Sequence, residues 1–225
     1  MSTPVPVFPL NVPLLPGCQM PLQIFEQRYL EMVANCMREQ SGFVVALLKP
    51  GSERQEVIRR DQNSDSPAPA STAPADTAPG SPAPPLPFYP VGTLARIVDF
   101  GQRDNGLLAI TIAGEQRQAL NHIRQAPGGL WLAECSPLSE FGDPHPVDLS
   151  QMNELLTQVL EVNNMRPLSE PESSPATVMN HLIMLMPFSA PLKQRLLECD
   201  GLDQRWQGLR QGLAELVAKA QHQSD

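Results

Sequence analysis

Apolar and polar positions along this chain change their period twice. From Val5 to Leu10 and from Met20 to Phe25, apolar residues alternate with polar ones or prolines, the pattern of short strands at a sheet edge. From Glu26 to Glu39 the spacing turns helical. Tyr29, Met32, Val33, Cys36 and Met37 then fall on one stripe, with Glu26 near the positive N-terminal end. Phe43–Leu48 is apolar throughout and predicts a buried strand. Val91–Asp99, Leu107–Ala113, Arg117–Arg124 and Leu130–Ser136 return to a strand pattern, and Asp104-Asn105-Gly106 is a hairpin signal. At least six strands with one early helix predict a small barrel, closed or nearly so.

From Val147 onward the period is 3.6. Met152, Leu155, Leu156, Val159 and Leu160 make one stripe. Val178, Met179, Leu182, Ile183 and Met186 make another, after a Ser174 cap and a proline in the first turn. A short helix is expected after Ser189, ending near Asp200-Gly201. The last helix carries Leu202, Trp206, Leu209, Leu213, Leu216 and Val217 on one face. Stripes of this kind are core-forming. The expected fold class is α+β: a β-rich part over residues 1–140, packed against a helical bundle over 141–225.

Residues 64–87 fit neither part. They hold eight of the chain's 25 prolines and a single large apolar side chain, Leu86, so they cannot bury enough surface to offset their ordering entropy. A disordered or polyproline-like insertion is expected there, and loop closure tolerates it because the entropic cost grows slowly with length. Charge narrows function. With 16 basic and 24 acidic residues the net charge is −8, which argues against a phosphate-binding surface and so against nucleic acid as a partner. Cys18, Cys36, Cys135 and Cys199 form no C-x-x-C pair, so neither a metal nor a redox motif is expected and the thiols should be free. No charged leader precedes an apolar run, and no window approaches the roughly 18 apolar residues that span a bilayer. A cytoplasmic chain that makes no membrane contact is expected.

Four segments in order carry a family resemblance: Phe8-Pro-Leu-Asn-Val-Pro-Leu-Leu-Pro-Gly17, Pro21-Leu-Gln-Ile-Phe-Glu-Gln-Arg-Tyr29, Tyr89-Pro-Val-Gly-Thr-Leu-Ala-Arg-Ile-Val-Asp99 and Ile112-Ala-Gly-Glu-Gln-Arg117. Together they resemble the Lon N-terminal (LON substrate-binding) domain over most of the chain. That resemblance implies a PUA-like pseudobarrel followed by helices. It also implies a module that recognises unfolded or apolar-rich polypeptide through an apolar groove, with self-association and a cellular protease as further partners. Pro16, Met20, Pro21, Phe25 and Tyr29 are the candidate lining residues. Glu26 and Arg28 are candidates as well, although a helix start beside a strand corner uses such a pair to fix local geometry.

Chemistry beyond binding is hard to find in these residues. G-x-x-x-x-G-K-[ST] is absent, as are G-x-S-x-G and H-E-x-x-H. None of the three lysines, Lys49, Lys193 and Lys219, lies in a peptidase context, and His122, His145, His181 and His222 sit in four separate segments. No catalytic residue and no cofactor is expected. The alternatives are an RNA-binding module of the PUA-like kind and a small-ligand sensor or enzyme.

Overall fold

The computed structural model describes residues 3–52, 85–103, 106–139, 149–162 and 174–222. Its strands are β1 (Val5–Leu10), β2 (Gln19–Ile24), β3 (Phe43–Leu48), β4 (Phe88–Gln102), β5 (Leu108–Gln125) and β6 (Trp131–Pro137). They form one mixed sheet in the order β2-β5-β4-β3-β1-β6. β1 runs parallel to β3; the other pairs are antiparallel.

β5 closes the sheet on itself. Its first half, Leu108–Ala113, pairs with β2, and its second half, Gln118–Gln125, pairs with β6. Five strands therefore make a ring and β2 hangs from it. The alternation read from sequence breaks β5 in two at Gly114, yet the strand is continuous and only shifts register there against Leu94 and Ala95. Gly114 is a point of close approach: a Cβ on it would lie 2.6 Å from Leu15 O. Its N–H donates to Cys18 O and its carbonyl accepts from Gly17 N–H, at 2.9 and 2.8 Å.

Helix α1 (Gln27–Glu39) buries Tyr29, Met32, Val33 and Cys36 and stops at Gln40, which takes the left-handed conformation at φ 50°. Four helices follow β6 among the described residues: α2 (Leu149–Val162), α3 (Pro175–Leu185), α4 (Ala190–Glu198) and α5 (Leu202–His222). The Ser174 hydroxyl caps α3 by accepting from Thr177 N–H at 3.2 Å, with proline in the first turn. No described helix is long and apolar enough to cross a membrane.

The two parts share a core. One cluster joins Leu15, Ile24 and Ile112 from the sheet side to Met32 of α1, Met152 of α2, Leu182 of α3, Leu197 of α4 and Leu209 of α5. A smaller cluster packs Val7, Val44, Phe88 and Trp131. The expected junction at 140/141 and nearly all of the 64–87 insertion, up to residue 84, lie outside the described residues.

Candidate functional site

The motif residues of the later strands are occupied in holding the fold. A Cβ on Gly92 would collide with Val45 O, and Thr93 Oγ1 donates to Leu14 O at 2.6 Å. The guanidinium of Arg117 is wholly buried. It donates to Leu197 O, Cys199 O and Ser139 O at 3.0, 2.9 and 2.6 Å, pinning the C-terminal end of α4 to β5.

The segment from Pro16 to Tyr29 divides. Pro16 is buried and its carbonyl accepts from Asn180 Nδ2 of α3 at 3.0 Å, so the corner lies under the helices. Tyr29 is buried too, with the Phe8 ring edge-on at 4.2 Å and the Arg28 guanidinium 4.6 Å from its centroid. Arg28 pairs with Glu26 at 3.0 Å and donates to Gly129 O at 2.9 Å, bracing the start of α1 against the turn between β5 and β6. Met20 is half-buried in β2. Pro21 is exposed, and so is Phe25, at 62%. Of the candidate apolar residues, then, only Pro21 and Phe25 are exposed.

Phe25 has company that periodicity did not reveal. Six large apolar side chains stand exposed among the described residues, and four of them, Phe25, Met37, Val98 and Phe100, gather around α1 and the far end of β4. Ile24 pairs with Leu108, which pairs with Gln102, so Phe25 lies two strand spacings, about 10 Å, from the end of β4. Between the end of α1 and β4 is a cavity of about 290 Å³ lined by Cys36, Met37, Gln40, Ser41 and residues 96–100. Arg96 spans it, donating to Gln40 O at 2.9 Å and pairing with Glu115 at 2.6 Å. Met37 was expected on the buried stripe; it sits in the last turn of α1 and is 37% exposed. Val98 and Phe100 flank Asp99 beside a register shift in β4. Two apolar residues around a charge at the tail of a strand are the sequence signal that would have marked them.

The cysteine thiols are poor nucleophiles. Burial pushes the Cys18 thiol up to about 12 and Cys135 to about 11, and it raises Cys36 and Cys199 as well, so little thiolate exists at neutral pH. Lys193 is buried, donates to Met184 O at 2.7 Å, and is lowered by desolvation. His181 bonds Thr177 O within α3 at 2.8 Å. Among the described residues no group of three or more His, Cys, Asp or Glu side chains is placed to hold a metal ion.

Comparison with known proteins agrees with the fold. The family described as the ATP-dependent protease La (LON) substrate-binding domain matches residues 4–213. The crystal structure of a Lon N-terminal domain protein from Xanthomonas campestris is similar at a TM-score of 0.62 and 26% identity, over 96% of this chain and 98% of that one. The N-terminal domain of a Mycobacterium avium complex Lon protease is similar at 0.60 over 92% and 96%; at 15% identity that likeness is one of fold alone. No curated protein matches the chain.

Proposed function

We propose, from the premise that this chain belongs to the family of LON substrate-binding domains, that it is a non-catalytic module that binds unfolded or apolar-rich polypeptide. The observation that carries this is the gathering of the exposed Met37, Val98 and Phe100 around one cavity, with Phe25 exposed at the neighbouring end of β2. Scattered apolar residues on a surface need no explanation, whereas three grouped in the lining of one concavity mark an interaction site. Fixed elements hold the patch: a helix braced by Arg28 on one side and a strand paired along β5 on the other.

Charge around the patch supports polypeptide over RNA. Arg38 lies 3.7 Å from Glu39, and Arg96 is paired with Glu115, so the cations there are largely answered internally in a chain of net −8. Affinity for a phosphate backbone needs clustered unpaired Lys and Arg. Of the residues first suggested by sequence, Phe25 is exposed beside the proposed surface, Met20 and Pro21 lie on β2, separated from β4 by β5, and Glu26 and Arg28 brace the start of α1.

The reading is tested by titrating a fluorescently labelled, permanently unfolded protein and a labelled single-stranded RNA at low and moderate salt. Saturable binding of the unfolded protein that changes little with salt is expected. RNA binding that weakens steeply with salt, with no response to the unfolded protein, would replace this reading with a nucleic-acid one.

A further inference from the structure

β4 outruns its neighbour. β3 pairs with it only from Phe88 to Ala95, while β5 pairs with it as far as Gln102. Residues 96–102 therefore have a strand on one side only among the described residues. The cavity beside Met37 is lined by the same stretch, from Arg96 to Phe100. An open strand edge offers unpaired main-chain groups in register, a template that another extended chain can complete. Here one edge amide has a local substitute: Phe100 N–H donates to the Asp99 carboxylate at 2.9 Å. A neighbouring side chain does what a strand would do.

We propose that residues 96–102 are a strand-addition site for an extended segment of an unfolded polypeptide. One large apolar side chain of that segment enters the cavity beside Met37, and an acidic residue about three positions away meets Arg103. The proposal rests on the polypeptide-binding reading and specifies how and what it binds. Three features select this occupant. The open edge demands an extended main chain. A cavity of about 290 Å³ is at the small end of ligand sites and suits one side chain better than a cofactor. Arg103, at the end of the edge and exposed, has no ion-pair partner among the described residues, while Arg96 is held by Glu115. Phe100 to Arg103 spans about 10 Å of extended chain, which sets the spacing between anchor and acid.

Displacing Asp99 is the step that distinguishes strand addition from adhesion to an apolar patch. The test uses fluorescence anisotropy with a labelled octapeptide that has one leucine among alanines and a glutamate three positions away. A glutamine version serves wherever charge must be kept out. With the glutamine peptide, D99A should bind about twofold to tenfold tighter than wild type, the equivalent of one net hydrogen bond no longer contested. D99N retains an acceptor for the Phe100 amide and should stay within about twofold of wild type. Methylating alternate peptide nitrogens should abolish binding in one set of positions and spare it in the other. R103E should reverse the preference for glutamate over lysine in the peptide, by up to about fivefold at low salt.

Equal affinity of D99A and wild type, together with both N-methylated sets binding like the parent, would overturn strand addition. If the unfolded protein still binds in that case, the polypeptide reading survives without it. Failure of wild type to bind either probe would instead remove the polypeptide reading. A D99A protein that dimerises and ignores the peptide would assign the edge to a second copy and overturn the proposal as well.

Discussion

Arg117 of β5 and Arg205 of α5 donate to the same two main-chain oxygens, Leu197 O and Cys199 O, at 3.0 and 2.9 Å from the first and 3.3 and 3.4 Å from the second. Both side chains are fully buried. The shared acceptors lie at the C-terminal end of α4, where orphan carbonyls and the helix dipole concentrate partial negative charge. Arg205 also donates to Asn180 Oδ1 at 2.7 Å, and Asn180 donates to Pro16 O. One chain of hydrogen bonds thus runs from the middle of β5 through three helices to the corner before β2.

Removing Arg117 should be among the most costly substitutions in the molecule. R117M fills the space but leaves the carbonyls of Leu197, Cys199 and Ser139 each without this donor, and about 3–5 kcal/mol of stability should be lost. R117K should recover little, because an ammonium does not reproduce the planar fork. Urea denaturation of both variants checks this; a loss below about 1 kcal/mol for R117M would show that the helices dock without it. A double-mutant cycle with R205M should give a coupling above about 0.5 kcal/mol, since the two side chains share acceptors.

Gly114 and Gly101 make a matched pair for backbone contact. A Cβ at Gly114 would meet Leu15 O at 2.6 Å, while a Cβ at Gly101 meets nothing within 4 Å. G114A should therefore cost about 1–3 kcal/mol as the strand and the corner are forced apart. G101A should stay within about 0.5 kcal/mol of wild type. Similar melting temperatures for the two variants would contradict the close approach.

The strands and helices were legible because burial imposes local periods: β1 and β3 match their expected spans, and the capped start of α3 was plain from Ser174-Pro175. What periodicity misses is set by partners far away in sequence. Pro16 was expected to line a groove, but Asn180, 164 residues later, covers it. Tyr29 has the spacing of either a core or a lining residue, and the Phe8 ring decides for core. Val98 and Phe100 are exposed because β3 begins at Phe43 and pairs no further along β4 than Ala95, a fact of pairing and not of composition. Phe25 stood out as a candidate because it lies at a strand-to-helix junction whose pattern was visible, and the structure leaves it exposed.

Cys18 gives a pH signature. Its folded thiol titrates near 12, against the 9.0 of a thiol in the open chain, with burial as the main cause and nearby Lys193 working the other way. Between those values the folded state keeps a proton that the unfolded state has lost. Its contribution to stability is thus complete below about pH 9 and fades as pH rises towards 12. Lys193, lowered by burial, has the opposite slope, so the comparison must be with C18A and not with a flat baseline. The difference in stability between wild type and C18A should shrink as pH rises above 9.0 towards about 12, the range set by those two values. A constant difference would place Cys18 in contact with water.

The most direct measurement of the central claim compares wild type with the double variant Met37→Ser/Phe100→Ser in a titration of the labelled unfolded protein. Both side chains are partly exposed at the rim of the cavity, so the melting temperature should move by no more than a few degrees. Removing the two should weaken binding at least tenfold, in keeping with the loss of about 1.5–3 kcal/mol for a well-buried apolar side chain. Pro13→Ala, placed at the buried corner away from the patch, should bind as wild type does. Undiminished binding by the folded double variant, or no binding by the wild type, would contradict the assignment of this surface as the polypeptide site.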